Sequence, residues 1–242
     1  GHAHRLRLML EEIASIRASA QHQEKKNAEA LVGALDRITT RLRATMDEAT
    51  DEIAAFGRTE ADPAEVRARI GKISRRIVEG LPHRLTDSQS LIEVLQGALD
   101  VASSSAMARR LLVLRAELAN TGLGLSHVHV RINASQLHNA IRGAVSMEGQ
   151  PDDPRYRASY MARIDELLGK VETAKINFGS IMSERASARR LFMVTAQMLK
   201  YVDNKTPVRF LIAECETAFT VLSALYYARL FGIDGQIGRA HV

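Results

Sequence analysis

The chain of 242 residues contains one cysteine, Cys215, and no tryptophan. A single cysteine cannot form a disulfide within the chain or build a cysteine-rich zinc site, and this usage is typical of a reducing compartment. No apolar run approaches the roughly 18 residues that cross a membrane. Aromatic residues are only 5% of the chain, so few rings are available to stack on single-stranded nucleic acid. We therefore expect a cytoplasmic protein that binds neither membranes nor nucleic acid, with Cys215 packed in a core.

Positive charge is in small excess, with 33 lysines and arginines against 28 aspartates and glutamates. The densest basic segment, residues 67–76, places isoleucines at helical spacing between its basic residues. This pattern is typical of an amphipathic helix with a solvated basic face, which we prefer to a phosphate-binding face.

Most of the first half of the chain has apolar residues at helical spacing, beginning with Leu6, and this predicts a series of amphipathic helices. Asp62 and Pro63 mark one helix start, and the segment from Thr86 to Gln89 has the pattern of a capping box. We expect residues 1–84 to be a helical segment and residues 85–235 to contain the strands.

Two segments predict strands. Residues 125–132 alternate between apolar and polar side chains, whereas residues 208–214 include an apolar core of the kind found in strands covered on both faces. Helices are predicted near 136–144, 155–173, 187–202 and 217–231. Strands separated by helices pair in parallel through a crossover, so we expect a mainly α fold with a few parallel strands.

His127 and His129 lie on one face of the first predicted strand, where both could reach one metal ion. The pair resembles the HxH motif of metal-dependent amidohydrolases, which also needs further histidines and a late aspartate. Of the other histidines, only His138 follows in the part of the chain that we take as native. The alternative is that these histidines line a polar interior or bond to carboxylates.

Arg131 lies on the same face, near the carboxyl end of the strand, where α/β folds gather ligands. Its planar guanidinium matches pairs of phosphate or carboxylate oxygens. The alternative is a buried salt bridge to Glu214 or Glu216, which follow the second strand. Those two carboxylates could instead line a pocket, bind a metal or precede a helix capped by Thr217.

The segment from Thr121 to His138, TGLGLSHVHVRINASQLH, resembles the phosphoenolpyruvate carboxylase segment F-G-L-x-L-x-x-L-D-I-R-Q-x-S, which a histidine follows closely. The preceding helix is similar to the family's L-L-x-x-L-R-x-V. The segment from Arg209 to Ile233 is similar to A-Y-V-I-S-M-x-x-x-x-S-D-V-L-x-x-x-L-L-x-K-E-A-G-I. The likeness runs from about Leu85 to Ile233, and His129 stands where the family has aspartate.

This resemblance implies a fragment of a helix-rich (β/α) barrel, in which Arg131 holds the phosphate of phosphoenolpyruvate. The family joins phosphoenolpyruvate and bicarbonate, with Mg2+ or Mn2+, to give oxaloacetate and phosphate. The T-A-H-P-T segment that supplies the catalytic histidine and the P-L-F-E-T segment that supplies a metal ligand are not in this sequence. We therefore expect a piece that is inactive by itself and binds no metal, from a parent that the resemblance implies to be a tetramer.

The tail from Gln236 to Val242 has no helical or strand pattern, and its last five residues match one reading frame of a common sequencing adapter. We expect residues 236–242 to be a non-native tail on an internal fragment. Two other functions stay open from the residues alone: a helical protein-binding module without catalysis, and an HxH metal-dependent hydrolase-like barrel.

Overall fold

The computed structural model of the chain describes residues 2–23, 27–56, 62–79, 84–124, 128–205, 208–233 and 235. Ten helices and two parallel strands lie in these residues, which are mainly helical, as the sequence predicts. In chain order they are α1 (His2–Gln23), α2 (Ala28–Phe56), α3 (Pro63–Glu79), α4 (Gln89–Val101), α5 (Ser105–Thr121), β1 (Val128–Asn133), α6 (Ala134–Val145), α7 (Pro154–Lys170), α8 (Phe178–Ser183), α9 (Ser187–Tyr201), β2 (Val208–Ala213) and α10 (Ala218–Leu230).

The chain divides into two compact units. Unit 1 contains residues 1–126 and 199–206, and unit 2 contains residues 127–198 and 207–242. The predicted boundary at 84/85 falls inside unit 1, where α4 and α5 pack with α1 and α2. The predicted tail, residues 236–242, lies outside the described residues.

Unit 1 is organised around four helices, because α1 packs on α2 and α5, and α4 packs on α2 and α5. Leucine and isoleucine side chains on their inward faces are fully buried, among them Leu6, Ile13, Leu35, Leu91 and Leu111. The helical spacing of these residues in the sequence therefore marks the core faces, as predicted.

The start of α4 differs from the predicted capping box. The helix begins at Gln89, and its first backbone N–H donates to the Asp87 carboxylate at 2.9 Å. The Gln89 side chain donates to Glu93 rather than reaching back. Thr86 lies before the helix, and its carbonyl accepts from the Asn204 backbone N–H at 2.8 Å, a long-range contact that the local pattern did not predict.

In unit 2, β1 and β2 pair in parallel over six residues, from Val128 opposite Val208 to Asn133 opposite Ala213. Helix α10 packs on α6 and α7, and α6 also packs on β1. The parallel pairing confirms the crossover predicted from the sequence. Residues 125–127 of the predicted strand lie outside the described residues, and α7 ends at Lys170 instead of Thr173.

Only one face of this sheet is covered in the described residues. Val208 and Ile132 are buried, and Phe210 stacks on Phe192 of α9 with ring centroids 4.7 Å apart. On the opposite face Leu211 is 50% exposed and Arg209 is exposed. The prediction that β2 is covered on both faces was therefore wrong, since side chains alternate along a strand and the helices pack on one side.

Candidate functional site

The exposed sheet face of unit 2 carries three basic side chains. His129 and Arg131 of β1 and Arg209 of β2 are all exposed. The register places His129 opposite Arg209, and Arg131 opposite Leu211. Side chains that are opposite in a parallel pair share a face, so the three belong to one surface. We call His129, Arg131 and Arg209 the basic face.

Arg131 is free to bind a ligand from this face. Its side chain is exposed and makes no hydrogen bond or ion pair within the part of the chain that the structure describes. The alternative of a buried salt bridge to Glu214 or Glu216 was therefore wrong. Those carboxylates lie beyond the end of β2, whereas Arg131 is opposite Leu211, three residues earlier than Glu214.

Arg209 also belongs to this site, although it was not predicted to do so from the sequence. It interrupts an otherwise apolar segment that resembled a strand buried on both faces. A single arginine inside such a run was the available signal, because an unpaired charge is costly to bury and so indicates an exposed face. Only the strand register shows that this face also carries His129.

The carboxyl edge of the two strands leads into two helices. Asn133 ends β1 and immediately precedes α6, and its backbone N–H donates to the Gln136 side-chain oxygen at 3.0 Å. Strand β2 reaches α10 through residues 214–217. Because the strands are parallel, the amino ends of α6 and α10, which favour anions, follow the same edge of the sheet.

The turn after β2 has an uncommon backbone conformation. Glu214 has a φ of 58°, in the left-handed region that non-glycine residues seldom adopt. Glu214, Cys215 and Glu216 are all exposed. Cys215 is therefore not the packed core thiol that we expected, since its position just beyond the strand places it at the surface. That Glu214 and Glu216 line a pocket stays a prediction.

His138 connects the two helices at this edge. Its Nε2 lies 2.9 Å from the Thr220 hydroxyl of α10, which in turn lies 3.1 Å from the Thr217 hydroxyl. The ring also contacts Phe219, with centroids 5.7 Å apart. Partial burial lowers the pKa of His138, Arg142 lowers it further, and Asp152 opposes the shift. The neutral ring is thus favoured as a link between α6 and α10.

The described residues offer no group of three or more histidine, cysteine or acidic side chains that could hold a metal ion. His127 lies outside the described residues, and His129 is exposed on the basic face. The HxH hydrolase hypothesis therefore stays a prediction.

A second surface feature lies in unit 1, between α1 and α5. It is a cavity of about 440 Å³ whose lining includes the exposed side chains of Leu8 and Val113. Two ion pairs cross it, Arg5 with Glu117 at 3.0 Å and Arg110 with Glu12 at 2.9 Å. Four of the five charged residues that line it are thus paired with one another, Arg109 being the fifth, and nothing in the structure shows what covers it. The hypothesis of a helical protein-binding module stays a prediction.

Comparisons of this chain with protein-family models, with curated proteins and with solved structures give no match. Among the described residues, none of the helices combines the length and the apolar character that crossing a membrane requires.

Proposed function

We propose that this chain is part of a phosphoenolpyruvate carboxylase-like enzyme and contributes part of its substrate-binding site. The observation that carries the proposal is Arg131, an exposed arginine without an ion pair, on a strand that leads directly into a helix. The order and parallel direction of β1 and β2 also support it, because the resemblance implies two strands of one barrel at these two segments.

The chemistry of the reaction explains why an arginine is needed. When phosphoenolpyruvate gives up its phosphoryl group, negative charge develops on phosphate and on the enolate oxygen. A guanidinium held in place before the reaction stabilises this charge without reorganising, and its fork matches two phosphate oxygens. The role of Arg131 is to bind and orient the phosphoryl group of the substrate.

The divalent ion that the resemblance implies does not fit the residues described here. They provide no group of three metal-binding side chains, and Glu214 and Glu216 are two exposed carboxylates on one turn. In this proposal, Mg2+ or Mn2+ is held by residues outside this chain, as is the catalytic histidine. The chain therefore binds substrate phosphate and forms no oxaloacetate alone.

Nuclear magnetic resonance titration of the 242-residue chain with phosphoenolpyruvate tests the proposal. We expect shifts centred on the backbone signals around residues 129–131 and 209–211. Arg131→Ala should weaken binding by about tenfold, because it removes a charge-assisted pair of hydrogen bonds. Arg157→Ala is the matched control: Arg157 is exposed on α7, its side chain makes no ion pair within the described residues, and the charge change is the same.

Two results of these experiments would contradict the proposal, and a third, from a comparison with inorganic phosphate, is given below. The first is that the wild-type chain does not bind phosphoenolpyruvate, or that the Arg131→Ala variant binds it as tightly as the wild type does. The second is oxaloacetate formation by the chain alone, supplied with bicarbonate and Mg2+, because the catalytic groups would then lie within these residues.

A further inference from the structure

Arg209 has no role in the resemblance. It stands where the carboxylase segment A-Y-V-I-S-M begins with alanine, so this chain carries a charge that the family pattern lacks. Arg209 is exposed and makes no hydrogen bond or ion pair within the described ranges. The resemblance assigns a role to Arg131 but not to Arg209, so the presence of Arg209 on this strand face must be explained separately.

The strand register brings Arg209 close to Arg131. Arg209 is opposite His129, and Arg131 is two residues further along the neighbouring strand. Adjacent strands are about 4.8 Å apart and two residues span about 6.6 Å, so two long flexible side chains on one face can reach the same ligand. Leu211 lies opposite Arg131 and cannot neutralise either charge.

Two guanidinium groups on one face repel each other unless an anion lies between them. Arg131 and Arg209 are diagonal neighbours on the two strands, within reach of each other's long side chains, and the described residues give neither arginine a carboxylate partner. A phosphoryl group has oxygens enough for both arginines and carries close to two negative charges near neutral pH. A monocarboxylate carries a single negative charge, so it neutralises only one of the two arginines.

We propose that Arg209 is a second phosphate-binding residue, and that it and Arg131 together bind the phosphoryl group of a small phosphate monoester. His129, directly opposite Arg209, adds a third hydrogen-bond donor to the same group. The identity of the ester rests on the proposed carboxylase-like function. The pairing of the two arginines rests only on the register and the exposure of this face.

Titrations with three probes test the pairing: inorganic phosphate, phosphoenolpyruvate and pyruvate, each at fixed pH and ionic strength. Arg209→Ala should weaken the binding of phosphate and of phosphoenolpyruvate by about tenfold. It should weaken the binding of pyruvate far less, because the single charge of pyruvate is neutralised by one arginine. Arg209→Lys should restore part of the phosphate affinity, since it keeps the charge and loses the fork. Arg157→Ala serves again as the control of equal charge change.

The outcomes separate this inference from the proposed function. If Arg131→Ala weakens phosphoenolpyruvate and Arg209→Ala does not, the pairing is wrong and the proposed function stands. If Arg209→Ala and Arg157→Ala weaken phosphate equally, the effect is one of net charge and the pairing is again wrong. If both sheet arginines govern phosphate affinity but phosphoenolpyruvate binds no better than phosphate, the pairing is supported and the proposed function is contradicted. A wild-type chain that binds none of the probes contradicts both, and circular dichroism establishes that each variant is folded.

Discussion

His138 shows how one side chain can hold the candidate site in shape without contacting a ligand. Its Nε2 lies 2.9 Å from the Thr220 hydroxyl. This contact joins the first half of α6 to the start of α10. These are the two helices that follow the carboxyl ends of β1 and β2. His138 is thus a positioning residue for the edge of the sheet, and its protonation state matters to the stability of unit 2.

The lowered pKa of His138 predicts a pH dependence of stability. Burial and Arg142 disfavour the charged ring in the folded chain, so the unfolded chain binds the proton more readily. The free energy of unfolding should therefore be highest above the ordinary pKa of 6.5 and should fall as the pH drops through that value toward the folded pKa. Urea denaturation at a series of pH values measures this.

His138→Gln is the comparison for this prediction, because glutamine keeps a hydrogen-bonding group and does not titrate. Part of the pH dependence should disappear in this variant. The remainder should persist, because burial also lowers the pKa of His2 in unit 1. Identical pH dependence of the free energy of unfolding in the wild type and in His138→Gln would show that His138 is not a source of this dependence.

Among the helices, α5 shows how one residue at each end can fix where a helix begins and where it stops. Ser104 precedes the helix, and its hydroxyl accepts from the Met107 backbone N–H. Gly122 follows the helix with φ of 62° and ψ of −143°, a combination that glycine alone adopts readily. Its N–H donates to the Leu118 carbonyl at 2.9 Å, so the chain leaves the helix in a fixed direction.

Gly122→Ala should lower the free energy of unfolding by about 2 kcal/mol, because alanine is strained at this φ and ψ. Gly97→Ala is the matched control inside α4, where an added Cβ meets nothing within 4 Å. The control should raise stability by about 0.5 to 1 kcal/mol, since glycine is unfavourable in a helix interior. Chemical denaturation measures both, and equal effects at the two sites would show that the backbone at Gly122 is not strained.

At the scale of the whole molecule, charge is distributed unevenly for so small a net excess. The formal net charge is +5 over 242 residues, yet the basic face places two arginines and a histidine on one side of a two-stranded sheet. Attraction of a small anion to this face is therefore a local effect and not a property of the chain's overall charge.

This distribution predicts a salt-dependent affinity for phosphate. The screening length falls from about 10 Å at 0.1 M salt to about 3 Å at 1 M, and exposed charges are screened most. Binding of phosphate to the wild-type chain should weaken severalfold over this range, as measured by titration in sodium chloride. An affinity that does not change with salt would place the ligand in a buried site instead of on the exposed face.

Local periodicity was enough to predict the longer helices and both strands, because each segment carries its own pattern. Helix α8 was not predicted, since its six residues are too few to show a helical period. The spacing that begins at Leu6 marked the buried faces of unit 1, and alternation marked the face of β1 that carries Arg131. The start of α4 was misplaced, because the local pattern at Thr86 does not include its bond to Asn204.

Which distant residues become neighbours in the fold could be learned only from the three-dimensional structure. The pairing of His129 with Arg209 depends on residues 80 positions apart in the chain, and no local pattern fixes that register. The same holds for the exposed face of β2, since a run of apolar residues does not reveal how many sides helices will cover. Arg131 could therefore be predicted as a site residue from the pattern of its own strand. Arg209 could be assigned to the site only from the pairing of the two strands.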